Sequence, residues 1–448
     1  MWLGLLFSIL GIVMLSYHQF DNEPPEYEGT SHALCELYRL RTAQCLMTGD
    51  IGKCLPYTLE TLLFNSTAEL AREDDNGRGL WMMTGVMVRA AINMGYHRDP
   101  SHTPSISILQ GELRRRIWLA LVGKDDLASF LVEFPSMMPA IYSDTQEPSN
   151  LHDWELSDDT AVLPPSRPMA ESTPVTYLIV KNCLMRALGH VTDFNNALRP
   201  GSYDKLLEID KSLYEAYEKV PLHMKIPPNI EGFVSTQSNS ATTISMLQME
   251  FLYHRGVCAL HRKFLAKGRL NGKYSLSRER CISSALAMVE QQHVFHQETR
   301  YKPSTYMPYW YKVAHARKFF ILAAMILCLD LEHRRRDVNT EIAPNSGILL
   351  QALEKSCKIW KDVRGSSDEA RKVYHVISGM ILSFETRPAG TGSTQSQAPE
   401  LAFELPGLNQ TFQFTNDTPS LHEEVLEAPN EMDIDWVGRY LVGLFASC

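Results

Sequence analysis

A histidine, a cation and a carboxylate stand side by side at His97, Arg98 and Asp99, and these are residue types of acid–base catalysis. A general base also needs an orienting partner and a nucleophile within hydrogen-bond reach, and adjacent residues of a turn usually point apart. Pro100 follows directly, and Asp before Pro is typical of turns. The sequence therefore favours a structural turn over a catalytic site. We expect Arg98 or Asp99 to pair with the charged end of a neighbouring helix.

The candidate metal ligands are nine cysteines and two histidines on one helix. No two cysteines have the C-x-x-C spacing, and Cys35, Cys45 and Cys54 are widely spaced with no close pair of histidines. His254 and His261 are seven residues apart, which is about 10 Å along a helix axis. We predict reduced, buried cysteines, as in intracellular proteins, and histidines at the edge of the core. No metal or cofactor is expected in this chain.

Composition and motifs narrow the class of function. The sequence has no Gly-rich phosphate loop, no G-x-S-x-G elbow and no H-E-x-x-H helix. A net charge of −9 argues against a dedicated DNA-binding surface, because such surfaces neutralise phosphates with clustered Lys and Arg. The two tight basic runs, residues 114–116 and 334–336, spread around a helix and form no one-faced basic stripe.

The element that must position the His97 turn is a helix predicted at residues 111–126. Glu112 can reach Arg115 or Arg116 one turn later, so its first turn is charged. A helix predicted at residues 79–94 precedes it and ends at Gly95 through a left-handed residue. The apolar residues expected near one inward face of the central helix are Leu113, Ile117, Ala120, Leu121 and Ala128.

Helical periodicity extends over most of the chain and predicts an all-α fold. Ser31 is the expected cap of a helix whose inward face would hold Leu34, Leu37, Tyr38, Arg41 and Cys45. Residues 135–174 contain seven prolines, so an irregular segment is expected there. The remaining helices are predicted at residues 32–48, 57–72, 175–197, 203–219, 242–267, 277–297, 309–332, 348–362 and 368–382.

The first residues form an apolar run, 2–17, that could be a signal peptide or a membrane anchor. The run has no positive residue before it and no small-residue cleavage site after it. It is also shorter than the roughly 20 residues of a spanning helix. We therefore predict a helix buried on all sides, and keep a membrane anchor as an alternative.

The composition changes at residue 385. Polar residues, Gly and Pro predict a disordered linker at 385–430. Residues 431–448 combine acidic and aromatic side chains, among them Asp433, Asp435, Trp436 and Phe445. Such a segment can be an activation segment that folds on a coactivator, or a helix that docks on its own domain. The sequence leaves both alternatives open.

Residues 71–156 resemble the regulatory middle homology domain of fungal zinc-cluster transcription factors. That family has a Trp-x-x-x-Gly helix, a Gly-Leu-His-Arg-Asp-Pro turn, Glu-x-Arg-Arg-Arg-x-Trp, a later Asp, Gly-Arg-Pro and Pro-x-Asn-x-x-Asp. The departures are Tyr96 for Leu, Leu119 for a second Trp, and Glu133-Phe134 where Gly-Arg would precede Pro135. The matching residues are Trp81, Gly85, Gly95, His97, Arg98, Asp99, Pro100, Glu112, Arg114, Arg115, Arg116, Trp118, Asp125, Pro135, Pro148, Asn150 and Asp153.

The resemblance implies a nuclear transcriptional regulator of a metabolic or secondary-metabolite pathway, with a regulatory domain at residues 1–384. Its partners would be a coactivator or another transcription factor, a small-molecule effector near the proline-rich segment, and in some arrangements a second copy. DNA would be reached only through a partner or a module absent here, and zinc only in an upstream cluster. The chain is then either a natural variant without that module or a gene model that begins at an internal methionine. A helical metabolic enzyme, with a site drawn from scattered helices, is the alternative.

Overall fold

The computed structural model describes residues 1–19, 23–70, 77–199, 201–227, 240–300, 316–336, 346–365 and 368–385. In these ranges the chain forms thirteen α-helices and short 3-10 turns, with no strand. The predicted all-α class is confirmed. Most of the described chain lies in one compact unit, Met1–Ile381. The predicted linker and tail segment, residues 385–430 and 431–448, lie outside the described residues apart from Glu385.

The helices follow the predicted order with small shifts at their ends. The helix predicted at 309–332 is described only from residue 316. The helix predicted at 242–267 ends at His261 and continues as a 3-10 turn. The bounds are α1 Trp2–Gln19, α2 Ser31–Thr48, α3 Thr58–Leu70, α4 Gly77–Asn93, α5 Ile108–Val132, α6 Pro174–Asn196, α7 Tyr203–Glu218, α8 Ser240–His261, α9 Lys267–Leu270, α10 Ser275–Arg300, α11 Ala316–Arg336, α12 Ser346–Val363 and α13 Asp368–Glu385.

The N-terminal helix α1 packs against α2 and α3. Its inner side contributes Met14 and Leu15 to a small core with Cys35 and Ala68. The prediction that α1 is buried on all sides is wrong, because Trp2 is 61% exposed. Within the described ranges its main neighbours are α2 and α3, and the Trp2 side of the helix is exposed. Among the described residues, no helix combines the length and apolar character needed to cross a membrane.

The second helix corrects two local predictions. Thr30, not Ser31, occupies the N-cap of α2, and neither caps it through its side chain. The Ser31 hydroxyl donates instead to the carboxylate of Glu23. Leu37, predicted to face inward, is 42% exposed. The buried side chains of α2 are Ser31, Cys35, Thr42 and Leu46.

The central helix α5 is longer than predicted and packs against α4 and α6. Trp118 and Leu121 join a core made with α3 and α4, which includes Leu59 and Met87. The predicted inward position of Leu113 is wrong, since that side chain is 44% exposed. The acidic residues Glu112, Asp125 and Asp126 of α5 are buried instead because, as shown below, they have polar partners.

Helix α4 ends as predicted, through a left-handed glycine. Gly95 has φ of +76°. The Tyr96 N–H donates to the Ala91 carbonyl at 2.9 Å, and the Gly95 N–H donates to the Ile92 carbonyl at 3.0 Å. These bonds satisfy carbonyls that the helix end would otherwise leave free. The chain then enters the His97 turn in a fixed direction.

The second half is centred on α8, which packs against α6, α7, α10 and α11. Helix α6 links this half to the first, because it packs against both α5 and α8. Between α5 and α6, residues 136–172 contain only bends, turns and 3-10 helices, as predicted from their prolines. We call residues 136–172 the strap.

Candidate regulatory site

An ion network at the start of α5 joins the His97 turn to the central helix. Arg115 donates from Nε to Asp99 Oδ2 at 2.9 Å and from Nη2 to Asp99 Oδ1 at 2.8 Å. Its Nη1 donates to Glu112 Oε1 at 2.8 Å. The carboxylate side chains of Asp99 and Glu112 are 2% and 0% exposed. The predicted pairing of the turn with the charged end of a helix is thus present, and Asp99 makes it.

The same network lowers the pKa of the Asp99 carboxyl. The Arg115 guanidinium holds the pKa of the Asp99 carboxyl well below its usual value, and burial opposes this effect only in part. Asp99 also accepts the Ser101 N–H at 3.0 Å and so caps the short turn that follows. A carboxylate with a bidentate arginine and backbone donors stays charged through the physiological range.

The two buried carboxylates also hold the backbone of the strap. The Gln146 N–H donates to Asp99 Oδ2 at 2.9 Å, and the Ser149 N–H donates to Glu112 Oε2 at 2.9 Å. In the other direction, the Asp99 N–H donates to Asp144 Oδ1 at 3.1 Å. The carboxylates of Asp99 and Glu112 therefore connect the His97 turn, helix α5 and the strap.

Asn150 is the anchor of the strap and is fully buried. Its Oδ1 accepts from the hydroxyls of Thr173 and Thr176, each at 2.7 Å, at the start of α6. Its Nδ2 lies 3.3, 3.1 and 3.2 Å from the carbonyl oxygens of Arg167, Pro168 and Glu171. The side-chain amide of Asn150 thus connects the middle of the strap to the last residues of the strap and to the start of α6. The preceding Pro148 is also buried.

The three consecutive arginines of α5 have three different partners. Arg114 donates to the Met94 carbonyl at 2.7 Å and lies 4.1 Å from the centre of the Tyr96 ring. Arg115 binds Asp99, and Arg116 donates to Asp153 in the strap at 2.7 Å. The prediction that this run forms no one-faced basic stripe is confirmed.

The remaining residues of the His97 turn also point apart. Arg98 lies 3.9 Å from Asp144, and the His97 ring lies 6.5 Å from the buried Trp118 ring. The Pro100 ring packs against Gly111, where an added Cβ would be 3.4 Å from it. The structure therefore brings these side chains to separate partners, as expected of a structural turn.

A second cluster lies where α5 ends and the strap begins. Asp125 is fully buried and accepts from the Thr84 hydroxyl at 3.1 Å, the Ser136 hydroxyl at 2.9 Å and the Met137 N–H at 2.8 Å. Trp81 Nε1 donates to the Pro135 carbonyl at 3.0 Å. The second cluster ties α4 to the point where the chain leaves α5.

Gly85 and Phe134 complete this second cluster. A Cβ on Gly85 would be 3.4 Å from Met137 Sδ, so the glycine leaves room for the start of the strap. The Phe134 ring packs edge-on against Trp81 with centroids 5.1 Å apart. Phe134 occupies a position where the family has Arg. In this chain the position makes an aromatic contact with Trp81.

Asp126, which sequence reasoning did not identify, is buried beside Asp125. Burial raises its pKa to about 7, and the neighbouring Asp125 and Asp193 add to this rise. The Ser136 hydroxyl, 3.0 Å from Asp126 Oδ1, and Arg186 act in the opposite direction. The only sequence signal was its position next to Asp125, because its burial depends on α6 and the strap.

We predict that Asp126→Asn stabilises the protein by about 1–3 kcal/mol more at pH 8 than at pH 5. The folded pKa lies above the unfolded value, so the folded state binds the extra proton. The stability of the wild type therefore falls as pH rises from the unfolded pKa through the folded pKa of about 7, and the amide removes this loss. Urea unfolding across pH 5–8 measures this difference. Asp158→Asn, at an exposed strap position, is the control, and equal pH dependence of both variants would contradict the prediction.

The candidate metal ligands have separate surroundings. Among the described residues, no three His, Cys, Asp or Glu side chains form a metal-binding group. Every described cysteine is a free thiol, and Cys35 and Cys258 are among the four that are buried. His261 is not at the core edge as predicted but fully buried, 2.8 Å from the Ser277 hydroxyl and 3.3 Å from Asp210. Burial lowers the pKa of His254 to about 4.

Comparison with known families agrees with this architecture. The family model of the fungal specific transcription factor domain matches residues 38–244, which include the turn, α5, the strap and all of α6. Residues 38–244 thus form a fungal specific transcription factor domain. No solved structure matches it.

Named relatives match nearly the whole chain. The Zn(2)-C6 fungal-type transcription factor pigI of Monascus ruber is 32% identical over 92% of this chain and 51% of its own length. The equisetin cluster transcription factor eqxF of Fusarium heterosporum is 31% identical over 89% and 60%. The pyrrolocin cluster transcription factor fsdR of a fungal species is 34% identical over 83% and 50%. The chain thus spans about half the length of the curated relatives it matches.

Proposed function

We propose that this chain is the regulatory part of a fungal transcriptional regulator that controls a secondary-metabolite gene cluster. The observation that carries the proposal is its similarity to transcription factors over about nine-tenths of its length, two of them named for the equisetin and pyrrolocin clusters. It would act in the nucleus. DNA would be contacted through a zinc-cluster module outside this sequence or through a partner, because the net charge of −9 does not suit a DNA-binding surface.

The signature residues are proposed to be structural and regulatory, not catalytic. Arg115 pairs with both Asp99 and Glu112, and each of these carboxylates also accepts a backbone N–H of the strap. This supports the reading that the chain is not an enzyme. A strap whose backbone N–H groups are bound by buried carboxylates is a suitable element for a two-state switch, since an effector or coactivator can compete for the same polar groups.

The experiment is deletion of the gene in its host, followed by RNA sequencing of the genes around it. Loss or gain of transcripts from a contiguous cluster is the expected result. The deletion strain is then complemented with the intact gene and with Trp436→Ala, which alters the proposed activation segment at residues 431–448. An unchanged transcriptome in the deletion strain would overturn the proposal. Restoration by the intact gene but not by Trp436→Ala would support an activating tail, with coactivator binding as its function.

A further inference from the structure

Helices α5 and α6 pack against each other, and Gly123 of α5 lies against the Asn182 side chain of α6. A Cβ on Gly123 would be 2.6 Å from the Oδ1 of this buried asparagine, so a larger residue would displace its side chain. Lys124 follows Gly123 on α5, and Lys181 precedes Asn182 on α6. The close crossing places two cations beside each other between helices.

In the part of the chain that the structure describes, neither lysine has a carboxylate partner, because no ion pair within 4.0 Å involves Lys124 or Lys181. Lys124 Nζ donates to the Thr67 hydroxyl of α3 at 2.8 Å. Lys181 Nζ lies 5.9 Å from the centre of the Tyr177 ring, one turn earlier on α6. The arginines of the signature network, in contrast, each pair with a carboxylate or a carbonyl.

The surroundings disfavour these two charges. Burial lowers the pKa of Lys124 to about 7, and the neighbouring Lys181 adds to this effect. Burial also lowers the pKa of Lys181 to about 8. Two half-buried cations without a counter-charge among the described residues cost free energy, so they do not serve the stability of the free protein.

A further donor without an acceptor is the side-chain amide of Gln248, which contacts Tyr177. The Tyr177 hydroxyl donates to Gln248 Oε1 on α8. Gln248 is 1% exposed, and its buried Nε2 has no hydrogen-bond partner among the described residues. Lys124, Lys181 and the Gln248 amide thus supply N–H donors from α5, α6 and α8, and Asn182 Oδ1 at the same crossing is a buried acceptor without a partner among the described residues. Buried donors are normally paired, so the missing component is an acceptor with negative charge.

We propose that Lys124 and Lys181, with Thr67 and Gln248, form a binding site for a small organic anion that carries a carboxylate or phosphate group. Thr67, Lys124 and Lys181 lie inside the matched domain at residues 38–244, and Gln248 lies just beyond it. The proposal deepens the proposed function by giving the chemical class of the effector, and it rests on that function only for the regulatory consequence of binding.

The test is thermal unfolding of the full chain at constant ionic strength with two kinds of probe: inorganic phosphate, and the straight-chain dicarboxylates from malonate to adipate. Succinamide is the neutral control. The melting temperature is expected to rise in a saturable way with at least one anion and not with the diamide. Comparison of the two series then decides between a phosphate and a carboxylate ligand.

The variants give a signature that a structural role would not. Lys124→Met and Lys181→Met should each raise the melting temperature of the free protein by about 2–4 °C and weaken the anion response at least tenfold. Lys181→Arg should retain the response. The control is Lys205→Met, at an exposed residue 2.9 Å from Glu208, which should behave as the wild type.

Three results would overturn the site: no response to any anion, an equal response in the methionine variants, or methionine variants that melt below the wild type. None of these measurements involves DNA or transcription. A chain that binds an anion through the two lysines but leaves all transcripts unchanged on deletion would therefore overturn the proposed function alone.

Discussion

Replacement of Arg115 by methionine is expected to lower the free energy of unfolding by about 3–5 kcal/mol. The substitution keeps most of the side-chain volume but removes the counter-charge of two carboxylates that are 2% and 0% exposed. Asp99 and Glu112 would then be buried together as like charges. The strap N–H groups that they accept cannot neutralise both. Urea unfolding at pH 7.5, followed by far-UV circular dichroism, measures the loss.

The matched control is Arg371→Met. Arg371 pairs with Asp368 at 2.6 Å, but the two side chains are 58% and 77% exposed. Exposed pairs of this kind contribute little, so the change should stay within about 0.5 kcal/mol. Losses of similar size in the two variants would show that the Asp99 network does not behave as a buried ion pair.

The stability of the wild type in acid should also show the contribution of the Asp99 network. Because the folded pKa of Asp99 is below the unfolded value, its stabilising contribution is complete above about pH 5 and is lost as pH falls through the folded pKa. In Arg115→Met the main cause of the low pKa is gone. The loss of stability that Asp99 contributes in acid should therefore be smaller in this variant than in the wild type.

Asn150→Ala is expected to release the second half of the strap, at a cost of about 2–4 kcal/mol. The substitution leaves two buried threonine hydroxyls at the start of α6 and three strap carbonyls without their partner. Hydrogen exchange should rise tenfold or more at residues 149–176 and much less in α1 and α2. Limited proteolysis should cut first within the strap.

The control for this variant is Asn196→Ala at the exposed end of α6. Its amide donates to the Thr192 carbonyl at 3.0 Å within the same helix. Little change in global stability or in strap exchange is expected from it. An Asn150→Ala protein that unfolds globally without prior exchange in the strap would contradict the idea that the strap is a separate element.

The parts of the site that the sequence predicts are those set by near neighbours. Gly95 ends α4 because a left-handed residue is needed there, and its N–H bonds reach back only three to five residues. Asp99 pairs with Arg115 across a single short connection. Periodicity gives the helices because the apolar side of each must face a core, whatever that core contains.

The parts that the sequence does not predict depend on distant partners. Leu113 was expected inside because it is apolar, but that face of α5 is open and the charged Glu112 is buried under the strap. Asn150 looks like a loop residue, yet its hydrogen-bond partners are spread from residue 166 to residue 176. The lysine pair depends on the crossing of α5 and α6 at Gly123, which no local pattern encodes.

The three arginines of α5 have a mechanical consequence. Arg114, Arg115 and Arg116 occupy less than one turn of helix, yet they bind the end of α4, the His97 turn and the strap. Successive residues are rotated by about 100° and raised by about 1.5 Å. A small rotation of α5 about its axis would therefore disengage all three segments together. A displacement of the strap would therefore rotate the first turns of α5 and so be transmitted to the end of α4.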